Sequence, residues 1–306
     1  MQAILASALW QKCVARLSGR RLIAGGALLL AMAAAGCSTI DFAYSMAPTA
    51  LGLMADNYLD LDGEQEGMLK ERLLTLREWT RTTQMAEYSR FLNEVRARAA
   101  GKVTLDDVEW LTREGRRHWK TLGERLAVDM AELAPRLTAD NLAALQRKLA
   151  RNNAEYSKDY LDATLEKQRE RRFERVKENF ARWYGDFDDT QLTRIKALSD
   201  ALPMNPRMVL EDRVRRQNAM AAVLAGLADK SLARAVGEQR LAVMLTDFER
   251  SRTPAYQALA AAYVAQSQAL TVAVANLATP SQRDTAQRRF KRWMDDMANL
   301  AARKEP

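Results

Sequence analysis

Apolar side chains recur at helical spacing along most of this chain. Near the C-terminus the spacing alternates between four and three residues, in the set Ala286, Phe290, Trp293, Met297 and Leu300. The preceding segment repeats the pattern through Tyr256, Leu259, Tyr263, Gln266, Leu270, Val274 and Leu277. Such stripes lie on one face of an α-helix and are typical of antiparallel bundles. No segment alternates between apolar and polar residues long enough to indicate a strand, so the pattern predicts an all-α fold.

Five of the predicted helices begin with the same local signal. A residue with an oxygen-bearing side chain stands at the N-cap, and a second polar residue three positions later returns a hydrogen bond to the cap. The pairs are Asp62 and Gln65, Thr104 and Asp107, Thr138 and Asn141, Asp188 and Gln191, and Thr279 and Gln282. These starts are irregularly spaced, which argues against a solenoid of equal repeats.

The segment from 140 to 184 contains neither glycine nor proline. As one continuous helix it would be about 68 Å long, so the sequence predicts an elongated bundle with at least one very long helix. The apolar stripe of this segment is interrupted at 166–172, by a polar stretch of the kind that bridges packed regions. The other interruption is "PMNP" at 203–206. Either position is a candidate for a subdomain break.

The N-terminal segment has the composition of a secretory signal peptide. A basic region precedes a 14-residue apolar run, Leu22–Ala35, which is too short to span a bilayer and suits a signal peptide. The run ends in "AAGC", Ala34–Cys37, which resembles the lipobox of bacterial lipoproteins. That resemblance implies cleavage before Cys37 and attachment of lipid, including palmitate, to this cysteine. The alternatives are an ordinary signal peptide with a chance cysteine, a short uncleaved anchor, and twin-arginine export through Arg20 and Arg21.

This interpretation divides the chain into three parts. They are a cleaved signal peptide over 1–36, a lipidated tether over 37–49, and an all-helical body over 50–306. Ser38 follows the cysteine, and the resemblance to enterobacterial lipoproteins implies transfer to the outer membrane. We therefore expect a protein of the cell envelope that the lipid on Cys37 anchors to the periplasmic face of the outer membrane.

The charge of the chain is less basic than it first looks. The whole sequence carries +8, but residues 1–36 contain four basic residues and no acidic one. Removing those four charges leaves +4 on the mature protein, so no nucleic-acid partner is expected. Three basic clusters stand at 167–175, 213–216 and 288–292. They are mostly interleaved with Glu or Asp, as on solvated helix faces, and contact with lipid head groups, lipopolysaccharide or cell-wall polymer is the alternative.

Few residues suit catalysis or cofactor binding. Cys13 leaves with the signal peptide and Cys37 carries lipid, so the mature chain is expected to have neither a free thiol nor a disulfide. His118 is the only histidine, and we predict a packing residue rather than a general base. Sites built from several histidines or thiolates are thereby excluded.

Adjacent carboxylates complete the candidate chemistry. They occur at 106–107, 188–189 and 295–296. The first two pairs fall at helix starts, where negative charge suits the helix dipole, and the third is predicted on the solvent side of its helix. The sequence has no phosphate loop, dinucleotide fingerprint or serine elbow. We therefore expect no enzyme, with no catalytic residue, no metal and no cofactor.

Several stretches resemble a known family. They are "NYLDLDGEQEGMLKERL" (57–73), "REWTR" (77–81), "EYSRFLNEV" (87–95) and "DALPMNPRMVLEDRVRRQ" (200–217). Together they are similar to an uncharacterised family of proteobacterial lipoproteins, a domain of unknown function, over nearly the whole mature chain. That resemblance implies a helical periplasmic lipoprotein and no activity.

A weaker similarity concerns three helix starts, "LDGEQ" (61–65), "FDDTQ" (187–191) and "ATPSQ" (278–282). They resemble the Leu-Thr-x-x-Gln motifs of small helical periplasmic stress chaperones. Capping chemistry by itself also favours such starts.

Three classes of function follow from these features. The first is a binding or scaffolding protein, with chaperone-like activity as one form, which predicts an exposed apolar patch. Residues that the helix stripes leave free for such a patch are Ile40, Phe42, Tyr44, Leu53 and Met54. The alternative is a structural envelope protein that contacts peptidoglycan or a membrane partner and presents a basic face or an oligomer seam. A hydrolase ranks last, and it would need a pocket with converging carboxylates.

Overall fold

The computed structural model describes residues 39–247 and 252–303. Helices make up 87 % of these residues and no strand occurs among them, so the predicted all-α class is confirmed. The chain divides between Met46 and Ala47, inside the first helix, and residues 39–46 are described separately from the body that follows. The predicted signal peptide and Cys37 lie outside the described residues, so lipidation stays a prediction.

The α-helices follow one another with short connections. They are α1 (Thr39–Leu59), α2 (Gly63–Trp79), α3 (Met85–Arg98), α4 (Leu105–Leu133), α5 (Ala139–Tyr156), α6 (Leu165–Tyr184), α7 (Asp189–Asp200), α8 (Pro206–Ala228), α9 (Arg234–Thr246), α10 (Pro254–Leu277) and α11 (Pro280–Ala302). A 3₁₀ turn, Ala134–Arg136, follows α4, and π-helical turns, Thr80–Gln84 and Ser157–Leu161, follow α2 and α5. Such π-turns are frequent at functional sites.

All five predicted helix starts are confirmed. In each, the N-cap side chain accepts a hydrogen bond from the backbone three residues on, and that residue's side chain accepts one from the cap. These bonds satisfy backbone N–H groups that the first turn of a helix leaves without partners.

Four of these starts join in pairs across the fold. Gln191 donates from Nε2 to the carbonyl of Leu277 (3.0 Å) and to Oε1 of Gln282 (2.8 Å), and Gln282 donates back to Oε1 of Gln191 (3.0 Å). Gln65 likewise donates to Oδ1 of Asn141 (2.8 Å). The starts of α7 and α11 are therefore fixed against each other, and so are those of α2 and α5.

The segment 140–184, expected to contain a very long helix with an interruption at 166–172, is two helices, α5 and α6. The hydroxyl of Thr164 caps α6, while Gln168 donates from Nε2 to the carbonyls of Tyr160 (2.6 Å) and Ala163 (2.9 Å). The break is stable without glycine or proline because side chains satisfy the backbone groups that it frees. Among the described helices the longest is instead α4, with 29 residues.

Buried side chains of the body form several clusters rather than one. The first joins α4, α5, α8 and α9 through Ala127, Ala131, Leu145, Val223, Leu224, Leu227 and Leu241. The second joins α6, α7 and α10 through Phe173, Ile195, Leu270 and Val274. The third joins α3 and α11 through Leu92, Ala286 and Phe290. The stripes predicted for the last two helices thus supply core residues.

Candidate functional site, an arginine and tyrosine cluster

Two of the three basic clusters come together in the body. The one at 167–175 lies on α6 and the one at 213–216 lies on α8, and they meet beside the π-turn that ends α5. We call this surface the arginine–tyrosine cluster. Its members are Tyr156, Tyr160, Arg171, Arg175, Asp212, Arg213, Arg215, Arg216, Arg252 and Tyr256.

A stacked pair of tyrosines forms the centre of the cluster. The rings of Tyr156 and Tyr160 lie 4.7 Å apart between centroids, with 30° between their planes. The guanidinium carbon of Arg175 lies 5.5 Å from the Tyr160 centroid, and Arg175 also donates to the Tyr160 hydroxyl. From α8, the guanidinium of Arg213 lies 5.8 Å from the Tyr156 centroid. Both distances are within the range of cation–π attraction, so two helices each place a cation on one aromatic platform.

A buried carboxylate organises the rest of the cluster. The side chain of Asp212 is 3 % exposed and pairs with Nη2 of Arg215 (2.8 Å) and Nε of Arg216 (3.1 Å). Arg252, whose side chain is 8 % exposed, contacts the same carboxylate, and its guanidinium carbon lies 4.8 Å from the Tyr256 centroid. Asp212 therefore holds these three arginines in place through its contacts. Removing it would leave the buried positive charge of Arg252 uncompensated.

The surroundings keep the cluster cationic around a neutral phenol. Burial, and then the neighbouring Tyr160, raise the pKa of Tyr156 to about 12, although Arg213 lowers it. Tyr156 is therefore un-ionised at neutral pH and does not cancel the charge beside it. Burial lowers the pKa of Arg216, but a guanidinium stays protonated in proteins.

The positive charges of the cluster outnumber the negative ones. Its six arginines face two aspartates, since Arg171 pairs with Asp159 (3.3 Å) and the remaining carboxylate is that of Asp212. Within the described part of the chain, neither Arg175 nor Arg213 has a carboxylate partner. The arrangement is suited to binding an anion.

Sequence reasoning identified the two basic runs but interpreted them as solvated faces. The spacing of Tyr156 and Tyr160, four residues apart and directly before a basic run, was a usable signal because such residues share a helix face. No local pattern marked Arg252, which reaches Asp212 from beyond α9.

Comparison with known proteins places most of the body in one family. Residues 57–257 match a family of unknown function, DUF6279. The chain belongs to this family. No curated protein and no solved structure matches it. The predicted membership of an uncharacterised family is confirmed, and every member of the arginine–tyrosine cluster lies within the DUF6279 match.

His118 of this DUF6279 protein is buried on α4, as expected of a packing residue. Its ring packs edge-on against Tyr88 and Phe91, with centroids 5.2 and 5.0 Å away. Burial, and then the charge of Arg117, lower the pKa of His118. This shift favours the neutral form of the ring.

Two of the predicted carboxylate pairs take part in helix capping, and the third is not fully exposed. Hydrogen bonds from Thr104 lower the pKa of Asp107 in its capping box, and Asp188 caps α7. Asp296 was predicted on the solvent side of α11, but it is half-buried. A shallow groove of about 560 Å³ between α3 and α11 is lined mainly by alanines.

The residues predicted to form an apolar patch differ in exposure. Leu53 is 67 % exposed and Phe42 is 43 % exposed. Ile40 and Met54 are half-buried. Tyr44 is buried, so it does not contribute to an exposed surface.

Within the described ranges, α10 is the one helix whose length and apolar composition would allow it to cross a membrane, with a mean hydropathy of 1.4. Core helices of soluble proteins pass the same test. Leu270 and Val274 on α10 are buried among residues of α6 and α7, which shows that α10 contributes to the core at its C-terminal end.

Proposed function

We propose that this DUF6279 protein is a lipid-anchored protein of the bacterial cell envelope whose helical body is a binding or scaffolding module. Cys37 carries the lipid, and Ser38 favours the outer membrane with the body on its periplasmic face. The observation that supports the binding role is the arginine–tyrosine cluster, which holds unpaired positive charge at a fixed place on the body.

The stability of the fold does not explain why the cluster contains Arg175 and Arg213. An exposed cation–π contact contributes about 0.5–1 kcal/mol, and exposed ion pairs contribute about as little. Arg175 and Arg213 therefore add little to folding, yet their guanidinium groups are positioned by aromatic rings. Groups that are fixed before a partner arrives lose less entropy on binding, and complementary charge raises association rates and selectivity.

The anchor is tested by replacing Cys37→Ser and labelling cells with radioactive palmitate. We expect the parent protein to take up label and to fractionate with the outer membrane, and the variant to take up none. Labelling of the variant would refute the lipobox assignment.

The binding role is tested by photo-crosslinking in whole cells. A photoreactive residue replaces exposed Asn218, next to the cluster on α8, and a matched one replaces exposed Asn299 on α11. We expect a discrete adduct from position 218 that position 299 does not give. A protein or membrane component in that adduct supports scaffolding, and peptidoglycan supports the structural envelope alternative. Identical patterns from both positions would refute a binding role for this surface.

Chaperone-like activity is the second candidate, and Leu53 is the observation that favours it. It is the most exposed large apolar side chain among the described residues, at 67 %. An apolar side chain left in water can contact unfolded clients when it belongs to a larger patch.

A further inference from the structure

We propose that the arginine–tyrosine cluster is a binding site for phosphate groups, carried by an anionic lipid head group or by a free phosphate compound. The inference rests on the proposed binding function and names the chemistry of its ligand. Its residues lie on α5 and the π-helical turn after it, on α6 and α8, and around the start of α10.

Guanidinium geometry favours phosphate as the ligand. The planar fork of an arginine donates two parallel hydrogen bonds to a phosphate, with more specificity than a lysine provides. Arg175 uses one nitrogen, Nη1, on the Tyr160 hydroxyl, and no hydrogen bond from Arg213 to another described residue competes for its donors. Both groups thus keep donors for a ligand.

The stacked tyrosine pair has a guanidinium from each of two helices against it. Arg175 lies against one ring of the stacked pair and Arg213 lies against the other, and the two rings are in contact. A phosphate concentrates up to two charges and three acceptor oxygens in one small group, so it suits a surface that carries several guanidiniums better than a single carboxylate does.

Asp212 adds to this surface without neutralising it. One buried carboxylate is shared by three arginines, so two positive charges of that group remain uncompensated. The side chains of Arg215 and Arg216 are 42 % and 43 % exposed. They therefore present charge to solvent while Nη2 of Arg215 and Nε of Arg216 are held by Asp212.

The first test measures binding of inorganic tripolyphosphate to the full chain, purified in a neutral detergent, by isothermal titration calorimetry. The test variant is Arg175→Gln with Arg213→Gln. The control is Arg288→Gln with Arg292→Gln, which removes the same charge from the third basic cluster. We expect about a tenfold or greater loss of affinity in the test variant, since each charge-assisted bond is strong. We expect little change in the control.

Lysine variants separate geometry from charge. Arg175→Lys with Arg213→Lys keeps both charges but removes the forks, so affinity should fall by about threefold or more. Circular dichroism checks that each variant is folded, and Arg213→Gln alone serves as the milder variant if the double one unfolds. An equal loss in the control, or no loss in the Gln variants, would overturn the proposal. So would equally tight binding of polyglutamate, which offers only carboxylates.

A second arm distinguishes the two sources of phosphate. The full chain with Cys37→Ser is floated with phosphatidylglycerol vesicles and with phosphatidylcholine vesicles. A preference for the anionic vesicles that the Arg175→Gln, Arg213→Gln variant loses assigns the site to lipid head groups. Tripolyphosphate binding without that preference assigns it to free phosphate, and absence of both overturns the proposal. A crosslink at position 218 that persists in that last case would leave the binding function standing with another ligand.

Discussion

Replacing Gln191 by Glu tests whether the paired helix starts act as one unit. The substitution keeps the shape of the side chain and its Oε1 acceptor, which receives the N–H of Asp188 (3.1 Å). It removes the Nε2 donor, and with it the bonds to the Leu277 carbonyl (3.0 Å) and to Oε1 of Gln282 (2.8 Å). It also brings a carboxylate against these two acceptors at a position that is 4 % exposed.

The magnitude follows from those contacts. Each lost hydrogen bond contributes about 1 kcal/mol net, and an acceptor left buried without a partner costs about 1–3 kcal/mol. Negative charge near the starts of α7 and α11 offsets up to about 1 kcal/mol of that loss through the helix dipoles. We therefore expect Gln191→Glu to lower the free energy of unfolding by about 2–4 kcal/mol.

Urea unfolding of the purified protein followed by circular dichroism measures this change. The control is Gln239→Glu on the exposed face of α9, which should change stability by less than about 0.5 kcal/mol. Lowering the pH should recover part of the loss, because a protonated Glu regains one donor.

A double-mutant cycle measures the coupling energy between the two caps and can refute the idea that they act as one unit. Gln191→Ala and Gln282→Ala remove the two reciprocal partners, and the coupling energy should be about 1 kcal/mol or more. Strictly additive effects would show that the two caps stabilise their helices independently, contrary to our reasoning.

Three further predictions concern other parts of the body. A Cβ at Gly237 would stand 2.5 Å from Cδ2 of buried Leu227. Gly237→Ala should therefore lower the free energy of unfolding, measured by thermal denaturation, by about 1–2 kcal/mol. An unchanged free energy would mean that α8 and α9 move apart easily to make room for the methyl group. His118 has a lowered pKa, so its contribution is present above the unfolded-state pKa of about 6.5 and is lost as pH falls below it. Urea midpoints should therefore drop more between about pH 7 and pH 5 in the parent than in His118→Phe, and equal slopes would contradict this. If the body is chaperone-like, it should suppress aggregation of a reduced client, and Leu53→Asp should abolish that effect whereas Leu165→Asp, also exposed at 55 %, should not.

The sequence by itself determined where five of the described helices begin and which faces the last two helices bury. A cap such as Thr279 with Gln282 is made within three residues, so its chemistry is complete in the local sequence. The stripe that includes Phe290 and Leu300 is periodic along one helix, and both residues are buried. The all-α class follows from these local signals because period and capping are properties of neighbouring residues.

The interruption between α5 and α6 shows where local reasoning ends. No glycine or proline marks it, and the sequence signal near it was the polar stretch at 166–172 that interrupts the apolar stripe. The break depends on Gln168 reaching back to the carbonyl of Tyr160, a side-chain bond that competes with helical geometry. Propensity alone does not rank such competing bonds.

Only the tertiary structure decided which distant groups meet. The amides of Gln191 and Gln282 pair across 91 positions, and Arg252 joins the carboxylate of Asp212 from just before the start of α10. The sequence alone is equally compatible with each of these glutamine and arginine side chains pointing into solvent. The choice between solvent and a partner is set by the path of the chain, because packing of the apolar stripes brings some polar groups together and leaves others in water.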